Sequence, residues 1–221
     1  MNQRLIAIGD IHGCLYTLKA LLKKVDYDYK KDRLVFIGDY IDRGEHAYET
    51  VRYLMDLQKT VGEERCVCLM GNHEDMAIRS NGTYDDLWIG NGGYNTIIDF
   101  EQHPDMISTI LNWFESLPLV CEAEGFIFCH AGLTHPMLDN NDSDMLLWGR
   151  KWIKSDSRPR EKRVIFGHTP EFTGAYVTKS GDLCIDSGCV YGGALCAVVI
   201  QNGEIQKFVY QSKHQEDLGD E

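Results

Sequence analysis

The eight cysteines of this 221-residue chain include no CxxC pair. Without such clustering a thiolate metal site has no footing. Cys66, Cys68, Cys129, Cys184 and Cys196 fall inside apolar runs, where a reduced cysteine packs as a small hydrophobe. Long apolar stretches are missing too: none approaches the roughly 20 residues of a membrane helix. The opening "MNQRLIAIGD" turns straight into a short strand, with no extended apolar leader region. A cytoplasmic chain with no membrane partner is the expectation. Positive charge is in deficit, with a formal net charge of −12. Such a surface repels a phosphate backbone, so no nucleic-acid partner is expected. A phosphorylated substrate stays open, because bound cations reverse the sign locally. "GNGG" (90–93) lacks the Lys-Ser/Thr of a phosphate-binding loop, and no HCxxxxxR segment offers a cysteine nucleophile.

What is present is a set of short apolar runs that share one ending. "RLIAIGDIH" (4–12), "RLVFIGD" (33–39), "CVCLMGNH" (66–73), "GFIFCH" (125–130) and "RVIFGH" (163–168) each close on residues able to bind a metal. Their length and their Val, Ile and Phe content predict buried strands. Leu15, Leu18, Leu22 and Val25, then Val51, Leu54, Met55 and Val61, recur at helical spacing between the first three. The resulting β-α-β-α-β order is the grammar of a parallel sheet with right-handed crossovers. Residues 75–124 read as mostly helical. After Gly181 come three strands, the last two joined by a turn at "NG" (202–203). One domain over 1–210 is expected, followed by a polar tail (211–221) expected to be disordered.

Polar sites gather at the carboxyl ends of strands in such sheets. Asp10 and His12 are two residues apart and share a face of an extended chain. Asp39, Asn72, His130 and His168 end four further strands. Six nitrogen and oxygen donors, with Asp39 central enough to bridge, suit two divalent ions. Such a pair about 4 Å apart can hold a shared hydroxide and orient a phosphoryl group for in-line attack. Glycine before Asp10, Asp39, Asn72 and His168 permits close backbone approach where donors crowd.

"GDIHG", "GDYIDRG", "GNHE", "HAGL" and "GHT", in that order, resemble the signature of the phosphoprotein phosphatases among the calcineurin-like metallophosphoesterases. The resemblance spans residues 8 to about 193, and the compact size is similar to that of the bacterial and phage serine/threonine members. It implies an α/β fold: a central β-sandwich of two mixed sheets flanked by helices. It also implies roles. Asp10, His12 and Asp39 would hold one metal, and Asp39, Asn72, His130 and His168 the other, with manganese the expected ion and iron or zinc compatible. His73 resembles the catalytic acid and Asp42 the group that orients it. Arg43 and Arg150 resemble the phosphate clamps, and Asn72 would also face the phosphate. An imidazole beside a carboxylate stays protonated more readily, which suits a general acid. Guanidinium groups match phosphate oxygens bidentately.

The implied reaction is hydrolysis of phosphomonoesters, phosphoserine or phosphothreonine in proteins above all, phosphotyrosine or a small phosphorylated compound also fitting, by direct attack of hydroxide. A rival is a symmetrical dinucleoside polyphosphate hydrolase; such relatives tend to lack the Asp of "DRG" and to read "GNHD", whereas this chain keeps Asp42 and Glu74. A second rival is an inactive phosphate-binding module, which would have lost a ligand or the acid; none is missing. His46, His103 and His214 fall in polar surroundings and read as solvated. His135 reads as a non-ligand, Tyr191 as a possible border of the pocket, and "SRPREKR" (157–163) as a solvated loop. Oligomeric state is not encoded in these patterns.

Overall fold

The computed structural model of the protein describes residues 3–150 and 161–219, so most of the 157–163 charge run lies outside the described residues. The chain begins as its periodicity predicts, with β1 (Leu5–Ile8), α1 (Leu15–Lys24), β2 (Arg33–Phe36), α2 (Ala47–Val61) and β3 (Cys66–Cys68). Four helices follow: α3 (Asn72–Arg79), α4 (Asp86–Gly90), α5 (Tyr94–Glu101) and α6 (Pro104–Ser116). Then come β4 (Val120–Ala123), β5 (Phe126–Cys129), α7 (Ser143–Trp148) and β6 (Arg163–Phe166). The last strands are β7 (Tyr176–Val177), β8 (Leu183–Cys184), β9 (Ala194–Gln201) and β10 (Glu204–Ser212).

Two mixed five-stranded sheets result, in the orders β10-β9-β1-β2-β3 and β4-β5-β6-β8-β7. In the first, β1, β2 and β3 run parallel and β9 pairs antiparallel with β1 and β10. In the second, β5, β6 and β8 run parallel, with antiparallel β4 and β7 at the two edges.

The period-two geometry of strands explains why these runs are apolar throughout. Leu5 and Ala7 face a core that also takes Val35, Phe126, Phe128, Ile165 and Val198, the layer between the sheets. Ile6 and Ile8 face the opposite way, into a core shared with Leu18, Leu54, Phe100 and Phe114 of the helices. On the outer side of the second sheet, Ile127, Val164 and Phe166 pack against Leu146. Both faces of the central strands are thus covered, as the expected sandwich flanked by helices requires. None of the eight cysteines is in a disulfide, and all but Cys121 are buried.

Two short strands escape the periodicity. β4 is only partly buried, and β7 is exposed on both residues, so neither carries an apolar run. The tail expected to be disordered is ordered as far as Gly219. Asp217 is fully buried; its carboxylate accepts the backbone N–H groups of Tyr16 (3.1 Å) and Thr17 (2.6 Å) and the Thr17 hydroxyl (2.5 Å). The residue preceding α1, Cys14, makes no side-chain cap. The polar tail therefore supplies a carboxylate to donors that the helix leaves open, from the far end of the chain.

Candidate metal centre

The carboxyl ends of β1, β2, β3, β5 and β6 converge on one cavity of about 230 Å³. His12, Asp39, Arg43, Asn72, His73, Arg150 and His168 line it, as expected, while Asp10 and His130 are buried against its wall.

Asp39 stands at the centre. Its Oδ2 lies 3.5 Å from His12 Nε2 and 3.8 Å from His73 Nε2, and its Oδ1 lies 3.3 Å from His130 Nε2. One carboxylate thus faces two donor groups, His12–Asp39–His73 and Asp39–His130–His168, each with ligand atoms within 4.8 Å of one another. The first differs from the expected trio of Asp10, His12 and Asp39. Asp10 Oδ2 accepts the His168 N–H at 2.9 Å, while Asp10 Oδ1 and His168 Nε2 are buried without a hydrogen-bond partner. Two orphaned buried acceptors beside a shared carboxylate fit a site built for cations.

The imidazoles are held from behind. His12 Nδ1 meets the Ile41 carbonyl at 2.8 Å, and His130 Nδ1 meets that of Ile37 at 3.0 Å. A ring that donates from Nδ1 leaves the Nε2 lone pair for a metal. Asn72 Oδ1 lies 2.9 Å from both His130 Nε2 and His168 Nδ1.

His73 Nδ1 sits 2.5 Å from Asp42 Oδ2, and Asp42 is fixed by the Trp88 indole N–H (2.8 Å) and the Thr96 hydroxyl (2.6 Å). This leaves His73 Nε2 toward Asp39. Burial pushes the Asp42 carboxyl up to about 7, against those two hydrogen bonds. A neighbouring carboxylate favours the protonated form of His73, while burial and the charges of Arg43 and His130 oppose it and lower its pKa below the ordinary value.

Burial likewise raises Asp10 and Asp39 well above the usual carboxylate range, with Asp186 next for Asp10 and Glu74 next for Asp39. It pushes His12 and His168 down and His130 down to about 3. Opposed shifts of this kind mark acids and bases crowded together out of water, as functional sites collect them.

Backbone strain gathers here. Among the described residues, nine non-glycine residues have positive φ, and five of them are His12, Asp39, Asp42, Arg43 and His168. Glu74 braces the second of these: it accepts the N–H groups of Asp39 (2.9 Å), Tyr40 (2.8 Å) and Gly71 (3.0 Å). Gly71 is required by close approach, since a Cβ there would lie 2.2 Å from Asp39 Oδ1.

Arg43 and Arg150 both reach the cavity, the Arg43 guanidinium lying 2.5 Å from His12 Nε2 and over the Tyr191 ring at 5.5 Å. Tyr191 borders the pocket. His46 Nε2 donates to the Glu216 carbonyl, His103 stacks on Tyr48, His135 meets Asn140 and His214 stacks on Tyr16, all outside the cavity. Sequence reasoning missed Asp186, Trp148, Asn91 and Pro170, which also line it. Asp186 was detectable, because "LCIDSG" has the same strand-then-Asp form as "AIGD". Trp88 and Thr96 carried no such signal; they reach Asp42 from helices 46 and 54 residues away.

A sandwich of this topology with a shared carboxylate between two donor groups defines a metallophosphoesterase. The calcineurin-like phosphoesterase family pattern matches residues 3–200, and the chain belongs to that family. It is 25% identical to a symmetrical bis(5'-nucleosyl)-tetraphosphatase of Pseudomonas fluorescens, across 90% of this chain and 92% of the relative. It is 28% identical to serine/threonine-protein phosphatase 1 of Salmonella typhimurium, across 88% and 90%. Among solved structures, a Saccharomyces cerevisiae protein serine/threonine phosphatase superposes with a TM-score of 0.68 at 18% identity, across 96% of this chain and 80% of that one. The protein is a hydrolase with a site for divalent metal ions.

Proposed function

We propose that the protein hydrolyses phosphomonoesters by direct transfer of the phosphoryl group to water, with two divalent cations, manganese by preference, held by Asp10, His12, Asp39, Asn72, His130 and His168. Bound cations of this kind supply Lewis acidity and lower the pKa of water that attacks phosphorus. The chain's own groups do the rest. Arg43 and Arg150 grip the phosphoryl oxygens, and the Asn72 amide steadies them. His73 delivers a proton from Nε2 to the departing oxygen, and Asp42 holds the ring at Nδ1. The carrying observation is the 2.5 Å His73–Asp42 contact, anchored by Trp88 and Thr96. A built proton donor matters most for alkoxide leaving groups, which supports phosphoserine and phosphothreonine as substrates.

A second substrate reading, a dinucleoside tetraphosphate, is favoured by the similarity to the symmetrical tetraphosphatase of Pseudomonas fluorescens. The same residues serve it, with a nucleotide phosphate leaving. We place the protein in the cytoplasm, acting on a phosphoprotein or a small phosphorylated compound. An assay with manganese comparing phosphopeptides, p-nitrophenyl phosphate and diadenosine tetraphosphate tests the reading. Phosphate release from the phosphopeptides or p-nitrophenyl phosphate, or ADP release from diadenosine tetraphosphate, abolished by chelation, is expected; no hydrolysis of any of the three refutes it.

A further inference from the structure

Beside the metal-ligand cavity lies a second recess, of about 340 Å³, within the range of small-molecule pockets. Phe172 and Thr173 bound it on one side, Gly192 and Gly193 on another, and Tyr210 and Ser212 at the end of β10 close it. The two depressions back onto each other along the chain: Pro170, Asp186 and Tyr191 line the first, while Phe172, Ser187 and Gly192 line the second. The wall between them is an aromatic ridge, with the Phe172 and Tyr191 rings 6.3 Å apart at 63°.

Both rings face solvent, Phe172 at 63% exposure and Tyr191 at 53%. Phe172 is nonetheless seated. Gly188, at φ +66°, lies so close beneath it that a Cβ there would sit 2.7 Å from a ring carbon. A large, positioned, solvent-facing aromatic beside a phosphate-sized cavity presents a stacking surface.

The two cavities also differ in charge. The first carries Arg43, Arg150, carboxylates and imidazoles; every residue lining the second is neutral. Phosphates belong in the first. The second suits an uncharged, planar group with polar edges, which stacks on Phe172 while hydroxyls such as those of Thr173 and Ser212 meet its edges. A phosphate ester joined to such a group is a nucleotide.

We propose that this recess is a nucleoside subsite, in which the base of a nucleotide stacks on Phe172 while its phosphates enter the Arg43–Arg150 cavity. The inference rests on the dinucleotide reading of the substrate and locates its recognition. The test compares kcat/KM for diadenosine tetraphosphate and p-nitrophenyl phosphate, with manganese, in the full chain and in Phe172→Ala and Ser212→Trp, the second filling the recess. The ratio of the two constants is expected to fall about tenfold in each variant, through KM of the dinucleotide, as loss of one base–aromatic stack implies. A ratio that stays within about twofold overturns the subsite. Turnover of p-nitrophenyl phosphate without turnover of the dinucleotide overturns it too, while the phosphohydrolase reading stands; so does a phosphopeptide that is preferred and weakened equally by both variants. If neither small substrate is turned over, calorimetry with adenosine 5'-monophosphate decides: binding weakened about tenfold by Phe172→Ala supports the recess, and equal or absent binding overturns it.

Discussion

Asp39 is the residue on which the centre turns, because its two oxygens face different imidazoles at 3.3 and 3.5 Å. Asp39→Asn removes the shared charge from both donor groups, and elemental analysis is expected to find manganese bound at about zero equivalents where the parent chain holds about two. His73 tests the division between ligand and acid. Its Nε2 is close enough to His12 and Asp39 to be counted with the ligands. If it acts as the acid, His73→Asn retains the metal and loses roughly 10²- to 10⁴-fold in turnover of an alkyl phosphate, with a much smaller loss for p-nitrophenyl phosphate. Metal loss in that variant would instead make His73 a ligand. Asp10, His12, Asp39, Asn72, His130 and His168 were legible because each closes an apolar run. Their supports were not: Glu74, Thr96 and Trp88 act through folds of the chain that no local pattern announces.

At the scale of elements, α1 depends on the far terminus. Its first turn begins three residues after His12, and the carboxylate that receives its open N–H groups comes from Asp217. Asp217→Ala strands those donors and is expected to lower Tm by about 2–6 °C, read by calorimetry or circular dichroism. The polar composition of the last residues suggested a frayed end; the structure uses that polarity as a cap. Periodicity located the central strands and α1 and α2 because their burial is one- or two-sided and regular. It failed on β4 and β7, which are edge strands held by backbone pairing rather than by apolar side chains.

For the whole molecule, the buried carboxyls link folding to pH. Burial pushes Glu74 up to about 7 from an ordinary 4.5 and Asp42 up to about 7 from 3.8. Asp10, Asp39 and Asp186 are raised likewise, so the native chain keeps protons on five acids that the unfolded chain has released, and this contribution to stability falls as pH rises toward 7; the lowered imidazoles of His12, His73, His130 and His168 act in the opposite sense, through fewer groups. The metal-free protein is expected to melt at a lower temperature near about pH 7.5 than near about pH 5.5. Added manganese should restore more of that loss at the higher pH, because cations favour the ionised carboxylates. Thermal denaturation with and without chelator at the two pH values checks both signs.

The left-handed backbone at His12, Asp39, Asp42, Arg43 and His168 sets chemistry against endurance. Each such residue costs on the order of 1–3 kcal/mol that glycine would not incur. A library screened for heat resistance alone, blind to turnover, should therefore accumulate glycine at a position such as 43, whose side chain lines the cavity. It would yield hardier folds that have forgotten their reaction.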